Sequence, residues 1–391
     1  MSIVPSDRFA VPTDQDHWFE RLVDGNGEGA SATATRATPP RAKRTGAQPI
    51  LVRRRSEASM PVPTDASGVS PASAPPIELG IAAGRVLLVA SGGGHFTQLQ
   101  ELTRRLQPQP LTIQWCTYDS PQAHSLLGDQ DWIAGHGPST RSLKNAARNL
   151  RLARRLLRSG EIDAVISTGA GIAVPFLGEA ARRGIPAHYI ESATRIHGPS
   201  MSGRMVERFD GVTRWHQYAG ADWGARWGHA GAVFDGFRAV AGPDREIRRV
   251  FVSLGTHGFA FDRAVSEVCS VVDPRAEIVW QLGSTQAPVG LRGSVHESLE
   301  PDAHTEAMEN ADVVIAHAGT GVALDAIRAG KLPVLLPREA RLGEHVDDHQ
   351  IELATRLADA GLAVTPLTHR LTRDELRRAA STRVARSELA A

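Results

Sequence analysis

Two short apolar runs, each ending in a glycine loop, limit the fold more than any other feature of this chain. Val86-Leu87-Leu88-Val89-Ala90 runs into Ser91-Gly92-Gly93-Gly94-His95, and Val250-Phe251-Val252-Ser253-Leu254 runs into Gly255-Thr256. An unbroken apolar run of this length predicts a strand buried on both faces. A glycine loop at its end lets the backbone turn sharply and come close to a ligand. After the first run the pattern predicts helices over 97–106, 142–159 and 175–183, and strands over 113–116, 164–167 and 187–190. After the second it predicts strands over 277–280, 313–315 and 334–336, with a last long helix starting near Val346. Strands alternating with helices predict parallel sheets covered on both faces. The expectation is an α/β protein with two Rossmann-like domains facing across a cleft, at 81–240 and 241–391. Residues 231–244 read as the linker.

Residues 1–80 differ from the rest. Ten of the 24 prolines fall there, among many Ala, Ser and Thr. Such a segment buries too little apolar surface to offset its ordering entropy, so a disordered tail is expected. The net charge of +1, from 44 basic and 43 acidic residues, argues against nucleic-acid binding. Cys116 and Cys269 fall in different halves, which offers no disulfide framework. No apolar run reaches the roughly 18 residues a membrane span needs. The acidic start, with Asp7, Asp14 and Asp16, lacks the apolar region of a secretory signal.

The chemistry-bearing motifs sit at strand ends, where open α/β sheets bind ligands. In 91–95, Ser91, Gly92, Gly93 and Gly94 bring amides to a helix start, which favours an anion. His95 closes that loop as a candidate general base. Thr168 and Gly169 lie in a second glycine loop of the same half. Glu191, Ser192 and Arg195 follow the strand over 187–190 and can bind hydroxyls or a pyrophosphate. In the second half, His317-Ala318-Gly319-Thr320-Gly321 opens a helix whose amides can hold a diphosphate. Asp325, about one turn later, can accept from a ribose. Asp347-Asp348-His349-Gln350 opens the last long helix, and Gln350 can face a sugar. Each motif is equally well read as turn or cap chemistry when taken singly.

A basic stripe, Arg141, Lys144, Arg148, Arg151, Arg155 and Arg158, spaces at three and four residues and so shares one helical face. It suits an anionic membrane surface or an ordinary solvated face. Leu143, Ala147, Leu150 and Leu157 are expected to form the packing face. Asp129-Gln130-Asp131 has the D-x-D form some metal-dependent transferases use, but no supporting ligands surround it. No metal ligands are assigned.

Taken together the motifs resemble a known pair. Residues 85–236, through 91–95, 167–171 and 189–195, resemble the acceptor-side subunit of the eukaryotic N-acetylglucosaminyltransferase that adds the second sugar to dolichol-linked oligosaccharide. Residues 248–366, through 252–256, 317–321 with Asp325, Gly330-Lys331-Leu332-Pro333 and His349-Gln350, resemble its catalytic subunit, of the glycosyltransferase family 28 C-terminal type. Bacterial exopolysaccharide glycosyltransferases use the same halves, and this chain looks like a fused version. The resemblance implies the GT-B fold and an inverting, metal-independent transfer with no cofactor beyond a UDP-sugar co-substrate. It implies donor binding by Gly255, Thr256, His317, Ala318, Gly319, Thr320, Gly321, Asp325, His349 and Gln350. The acceptor, a polyprenyl-linked saccharide or a polysaccharide, would meet Ser91, Gly92, Gly93, Gly94, Thr168, Gly169, Ser192 and Arg195, with His95 and Glu191 catalytic. The implied place is the inner face of the cell membrane, as a cytoplasmic peripheral protein. The chain departs from the pair in lacking the membrane anchor of the acceptor-side subunit and in carrying His257 after Gly255-Thr256. A UDP-sugar 2-epimerase and a non-catalytic nucleotide-sugar-binding module are the alternatives.

Overall fold

The computed structural model describes residues 76–387, apart from 82–83, 109–110, 139–141, 257 and 367–369. The expected tail, Arg141 of the basic stripe and His257 lie outside the described residues, the tail but for its last few positions.

The first half runs β1 (Ile77–Glu78), β2 (Arg85–Val89), α1 (Gly94–Thr103), β3 (Leu106–Gln107), β4 (Thr112–Tyr118), α2 (Pro121–Leu127), β5 (Trp132–Gly135), α3 (Leu143–Leu157), β6 (Ala164–Ser167), α4 (Ala173–Arg182), β7 (Ala187–Ile190), α5 (Met201–Val206), β8 (Val212–His216) and β9 (Trp227–His229). Its main sheet has the order β5-β4-β2-β6-β7-β8-β9, with every pairing parallel. The second half runs β10 (Phe237–Ala241), β11 (Arg249–Ser253), α6 (Asp262–Val271), β12 (Glu277–Gln281), β13 (Ser294–His296), α7 (Pro301–Asn310), β14 (Val313–His317), α8 (Thr320–Arg328), β15 (Val334–Leu336), α9 (His349–Asp359), α10 (Arg373–Ala380) and β16 (Thr382–Arg386). Its sheet has the order β13-β12-β11-β14-β15, again all parallel.

In each sheet the strand that feeds a glycine loop is interior. β2 lies between β4 and β6, and β11 between β12 and β14. Interior parallel strands have helices on both faces, which is why their residues are apolar without alternation. Strand order reverses beside β2 and β11, so a crevice opens at their carboxyl ends. Local chemistry sets the helix starts. Ser120 caps α2 with Pro121 behind it, Ser142 caps α3, and Thr372 with Glu375 forms a capping box on α10.

The structure corrects the sequence reading in three places. The segment read as a linker contains β10, which pairs antiparallel with β16, a strand not expected from the pattern. The boundary at 240 therefore falls inside a paired strand. The first helix starts at Gly94 rather than near Thr97, because Gly93 at φ 71° turns the chain directly into it. The packing face of α3 is Asn149, Leu152, Ala153 and Leu157, whereas Leu143 is 48% exposed and Ala147 is exposed. The expected face left out Asn149 because its side chain is polar. Its side-chain amide bonds both the N–H and the C=O of His136, at 2.8 and 2.9 Å. Lys144, Arg148, Arg151, Arg155 and Arg158 are exposed, as the spacing leads one to expect.

Candidate active site

The two glycine loops meet. Gly94 is the first residue of α1 and Gly321 the second of α8, and a Cβ on Gly94 would lie 3.1 Å from the amide nitrogen of Gly321. A Cβ on Gly321 would lie 3.0 Å from Cα of Gly94. Neither position has room for a side chain. Both helices begin at a glycine N-cap that gives no side-chain hydrogen bond, and neither has an acidic residue in its first turn. The first amides of a helix have no intrahelical acceptor and carry the positive end of its dipole. Two such ends therefore converge with nothing anionic on them.

Thr320 sharpens the point. It is 4% exposed, and its hydroxyl is buried with no hydrogen-bond partner. A buried hydroxyl left unpaired costs about 1–3 kcal/mol. An oxyanion at the α8 terminus would satisfy it.

Steric fit shapes the loop before α8. The His317 ring lies between Gly255 and Gly319. A Cβ on Gly319 would come 2.3 Å from its Nε2, and one on Gly255 2.6 Å from its Cε1. His317 Nδ1 donates to the Ser253 carbonyl at 3.3 Å. Gly255 has φ +80° and Gly283 φ +58°, and a Cβ on Gly283 would strike the Gly255 carbonyl at 2.1 Å. Thr256 is exposed at the end of the same loop. Asp325 is half-buried, and burial raises its carboxyl to about 6 against a partial pull from Arg328.

On the other side, His95 is half-buried and is held by two hydrogen bonds to one residue. Its Nδ1 lies 2.8 Å from the Thr168 carbonyl, and Thr168 Oγ1 donates to the His95 carbonyl at 2.7 Å. A carbonyl only accepts, so Nδ1 carries the proton and Nε2 holds the lone pair of the neutral ring. Burial depresses the imidazole below its usual range, opposed by the Thr168 bond. His95 is therefore a neutral base at pH 7. Gly169, at φ +118°, makes room, since a Cβ there would sit 3.2 Å from His95 Cε1. Gly93 N–H donates to Gln122 Oε1 at 2.6 Å, while Ser91, Gly92 and Gly93 stay at the loop surface.

Several expected site residues have other work. Glu191, expected to be catalytic, is 1% exposed. Its carboxylate accepts from Tyr189 Oη (3.1 Å), Ser192 N (3.0 Å) and Ser200 N (2.8 Å), so it ties down the loop after β7. Thr168 is fully buried and already committed to His95, so it positions that ring rather than meeting an acceptor. Ser192 is buried, bonded to Gln98 and Thr194. Ala318 is fully buried in the core. Gln350 is buried, with its Oε1 accepting from the Arg338 amide. Arg195 crosses to the other half and pairs with Asp347 at 2.9 Å. Asp347 also bonds Nδ1 of His349, so that ring faces a carboxylate. Asp131 of the D-x-D pattern takes Gln114 Nε2 on both oxygens, at 3.1 and 3.0 Å.

Sequence reasoning missed Gln98 and Arg338. Gln98 is buried and joins the start of α1 to the loop after β7, donating to the Gly94 carbonyl and accepting from Ala193 N. Arg338 is 1% exposed and donates to the carbonyls of Leu254, Phe259 and Ala260, which holds the loop after β11. Its place just past the end of β15 was the available signal, since strand ends face the crevice. The halves also touch through Glu101, which is buried on α1 between Arg328 of α8 and Arg386 of β16. Ser125 of α2 meets Asp302 of α7 at 3.0 Å. A cavity of about 980 Å³ lies away from all of this, at the starts of β11 and β12 beside α10.

Comparison with known proteins gives three findings. Residues 249–386 match the glycosyltransferase family 28 C-terminal domain. A stretch of 50 residues, 13% of the chain, is 48% identical to the UDP-N-acetylglucosamine transferase subunit ALG13 of Yarrowia lipolytica. The chain matches 24% of that relative's length. Similar solved structures include Acinetobacter baumannii MurG, 20% identical over 75% of this chain and 89% of that one, with a TM-score of 0.46. The glycotransferase of kitacinnamycin is 18% identical over 76% and 89%, with a TM-score of 0.47. The MnaA–UDP co-structure from S. aureus is 7% identical over 76% and 87%, with a TM-score of 0.48. From β11 to β16, then, the chain is similar to the glycosyltransferase family 28 C-terminal domain.

Proposed function

We propose that this chain is an inverting glycosyltransferase that moves a sugar from a UDP-sugar to a polyprenyl-linked saccharide or a polysaccharide. The observation that carries this reading is the meeting of the uncapped starts of α1 and α8, with the buried, unpartnered hydroxyl of Thr320 on the first residue of α8. Free amides at two helix starts, with a hydroxyl beside one of them, suit a diphosphate. The family of residues 249–386 fits a nucleotide-sugar donor there.

In this reading the donor lies against the second half. The amides of Thr320 and Gly321 and the Thr320 hydroxyl hold the diphosphate, and Asp325 accepts from the ribose. His349 meets the sugar. The acceptor lies over the loop at 91–94, and its hydroxyl oxygen attacks the anomeric carbon. The bond from that carbon to the diphosphate oxygen breaks, UDP leaves, and the acceptor proton passes to His95 Nε2. The developing charge on UDP meets helix termini, an arrangement in which one lost donor costs about 10²–10³ in rate. No metal ion takes part.

The exposed stripe of Lys144, Arg148, Arg151, Arg155 and Arg158, with Leu143 beside it, would rest on the anionic cytoplasmic face of the membrane. No helix among the described residues is long and apolar enough to cross a membrane.

The test is transfer from UDP-sugars to membrane lipid extracts, read by mass spectrometry, with UDP affinity measured in parallel. Transfer that survives chelators supports the reading. Failure to bind any uridine nucleotide overturns it.

A further inference from the structure

The start of α9 holds a second constellation, of which the proposed transfer reaction uses His349 alone. His345, Asp347 and His349 stand at alternate positions, and one donor atom from each lies within 4.8 Å of the other two. Nδ1 of His345 is 3.4 Å from Oδ1 of Asp347, and Nδ1 of His349 bonds that same oxygen. The two rings meet edge to face with centroids 4.6 Å apart. Phe259 packs on His345 with ring centroids 5.4 Å apart. The side chains are sheltered, at 12% exposure for His345, 35% for Asp347 and 17% for His349.

Two features separate this group from an ordinary helix cap. The first is that Asp347 divides its oxygens. Oδ2 takes Arg195 from the other half at 2.9 Å, which turns Oδ1 toward the two imidazoles. The second is spacing. Nitrogen and oxygen ligands at about 2.0–2.1 Å around a tetrahedral ion stand roughly 3.3 Å apart. The separation between His345 and Asp347 already has that value. His349 Nδ1 contacts the same oxygen more closely.

We propose that His345, Asp347 and His349 bind one borderline transition-metal dication of the Zn²⁺ class. Two imidazoles and one carboxylate select such an ion over Mg²⁺ or Ca²⁺, which prefer all-oxygen sets. Three protein ligands leave a fourth position for water. The bound ion pins the turn at 340–348, with its exposed Leu342 and Val346, to the start of α9. No transfer step runs through it.

The experiment uses the full chain, stripped with a chelator and dialysed. Co²⁺ is the spectroscopic probe and Zn²⁺ the competitor. One equivalent of Co²⁺ should produce visible d–d bands that Zn²⁺ abolishes, and Zn²⁺ should raise the melting temperature. His345→Gln, His349→Gln and Asp347→Asn should each weaken binding by at least about 10-fold, the smallest loss typical even of residues that only orient a ligand. The exposed His296→Gln serves as the control and should leave binding unchanged. Absence of saturable binding to the native chain, or equal affinity in all three site variants, overturns the proposal. The readout is metal binding rather than transfer, so a failure here is distinguishable from a failure of the transferase reading.

Discussion

The two glycine loops do the same topological job by different means. The loop before α1 is held by hydrogen bonds. His95 and Thr168 exchange two of them, and Gln122 and Gln98 fasten its backbone. The loop before α8 is held by steric fit, with the His317 ring filling the space that Gly255 and Gly319 leave. Hydrogen-bonded fastening leaves a titratable ring at the surface of the crevice. Steric fastening leaves backbone amides and the buried Thr320 hydroxyl at the start of α8. The comparison teaches that one loop is fastened through an imidazole and a partner loop, and the other around an imidazole that fills the room its glycines leave.

The sharpest way to break that contrast is His95→Ala. A general base typically contributes about 10²–10⁴-fold, so kcat should fall by that factor while the affinity for UDP stays within about twofold. Single-turnover kinetics with calorimetric UDP titration checks both. Parallel losses in rate and affinity would erase the division of labour. Conversely, Gly319→Ala should act on grip. Its Cβ would overlap the His317 ring, and overpacking of this kind costs about 1–3 kcal/mol. UDP affinity should drop by roughly 10–100-fold, with the melting temperature lowered.

Asp325→Asn sharpens the comparison through pH. The folded carboxyl is raised from 3.8 to about 6, so the native state holds a proton that the unfolded chain releases. Stability contributed by this group is then greatest below about pH 4 and falls as pH rises to about 6. The amide variant should lose that slope and be more stable above pH 6 by about 1–3 kcal/mol, as denaturant melts at pH 4 and 7 will report. If Asp325 also holds the ribose, the same variant should weaken UDP. Smallest per residue is the membrane stripe. Arg148→Glu with Arg155→Glu should weaken binding to anionic vesicles by at least about 1 kcal/mol for each charge, and not to neutral ones. Sedimentation with vesicles measures it, and equal pelleting of the variant would remove α3 from the membrane contact.

Much of this was legible before any coordinates. The strands feeding both loops were visible because interior parallel strands are apolar on both faces, and the α8 start followed from glycine after a strand. Glu191 was misjudged because a carboxylate at a strand end looks the same whether it faces solvent or the amides of its own loop. Gln98 and Arg338 gave no periodic signal, since each serves backbone groups far away in sequence. β16 escaped notice because its pairing with β10 spans more than a hundred residues.

The sequence by itself determined the two α/β units, their glycine loops and the half in which each motif lies, since strand burial and loop geometry depend on neighbours along the chain. Only the tertiary structure decided that Gly94 meets Gly321, that Thr168 sets the His95 tautomer, and that Asp347 stands between Arg195 and two imidazoles. Those relations depend on distance and direction across the fold, and the separation of residues along the chain carries no record of either.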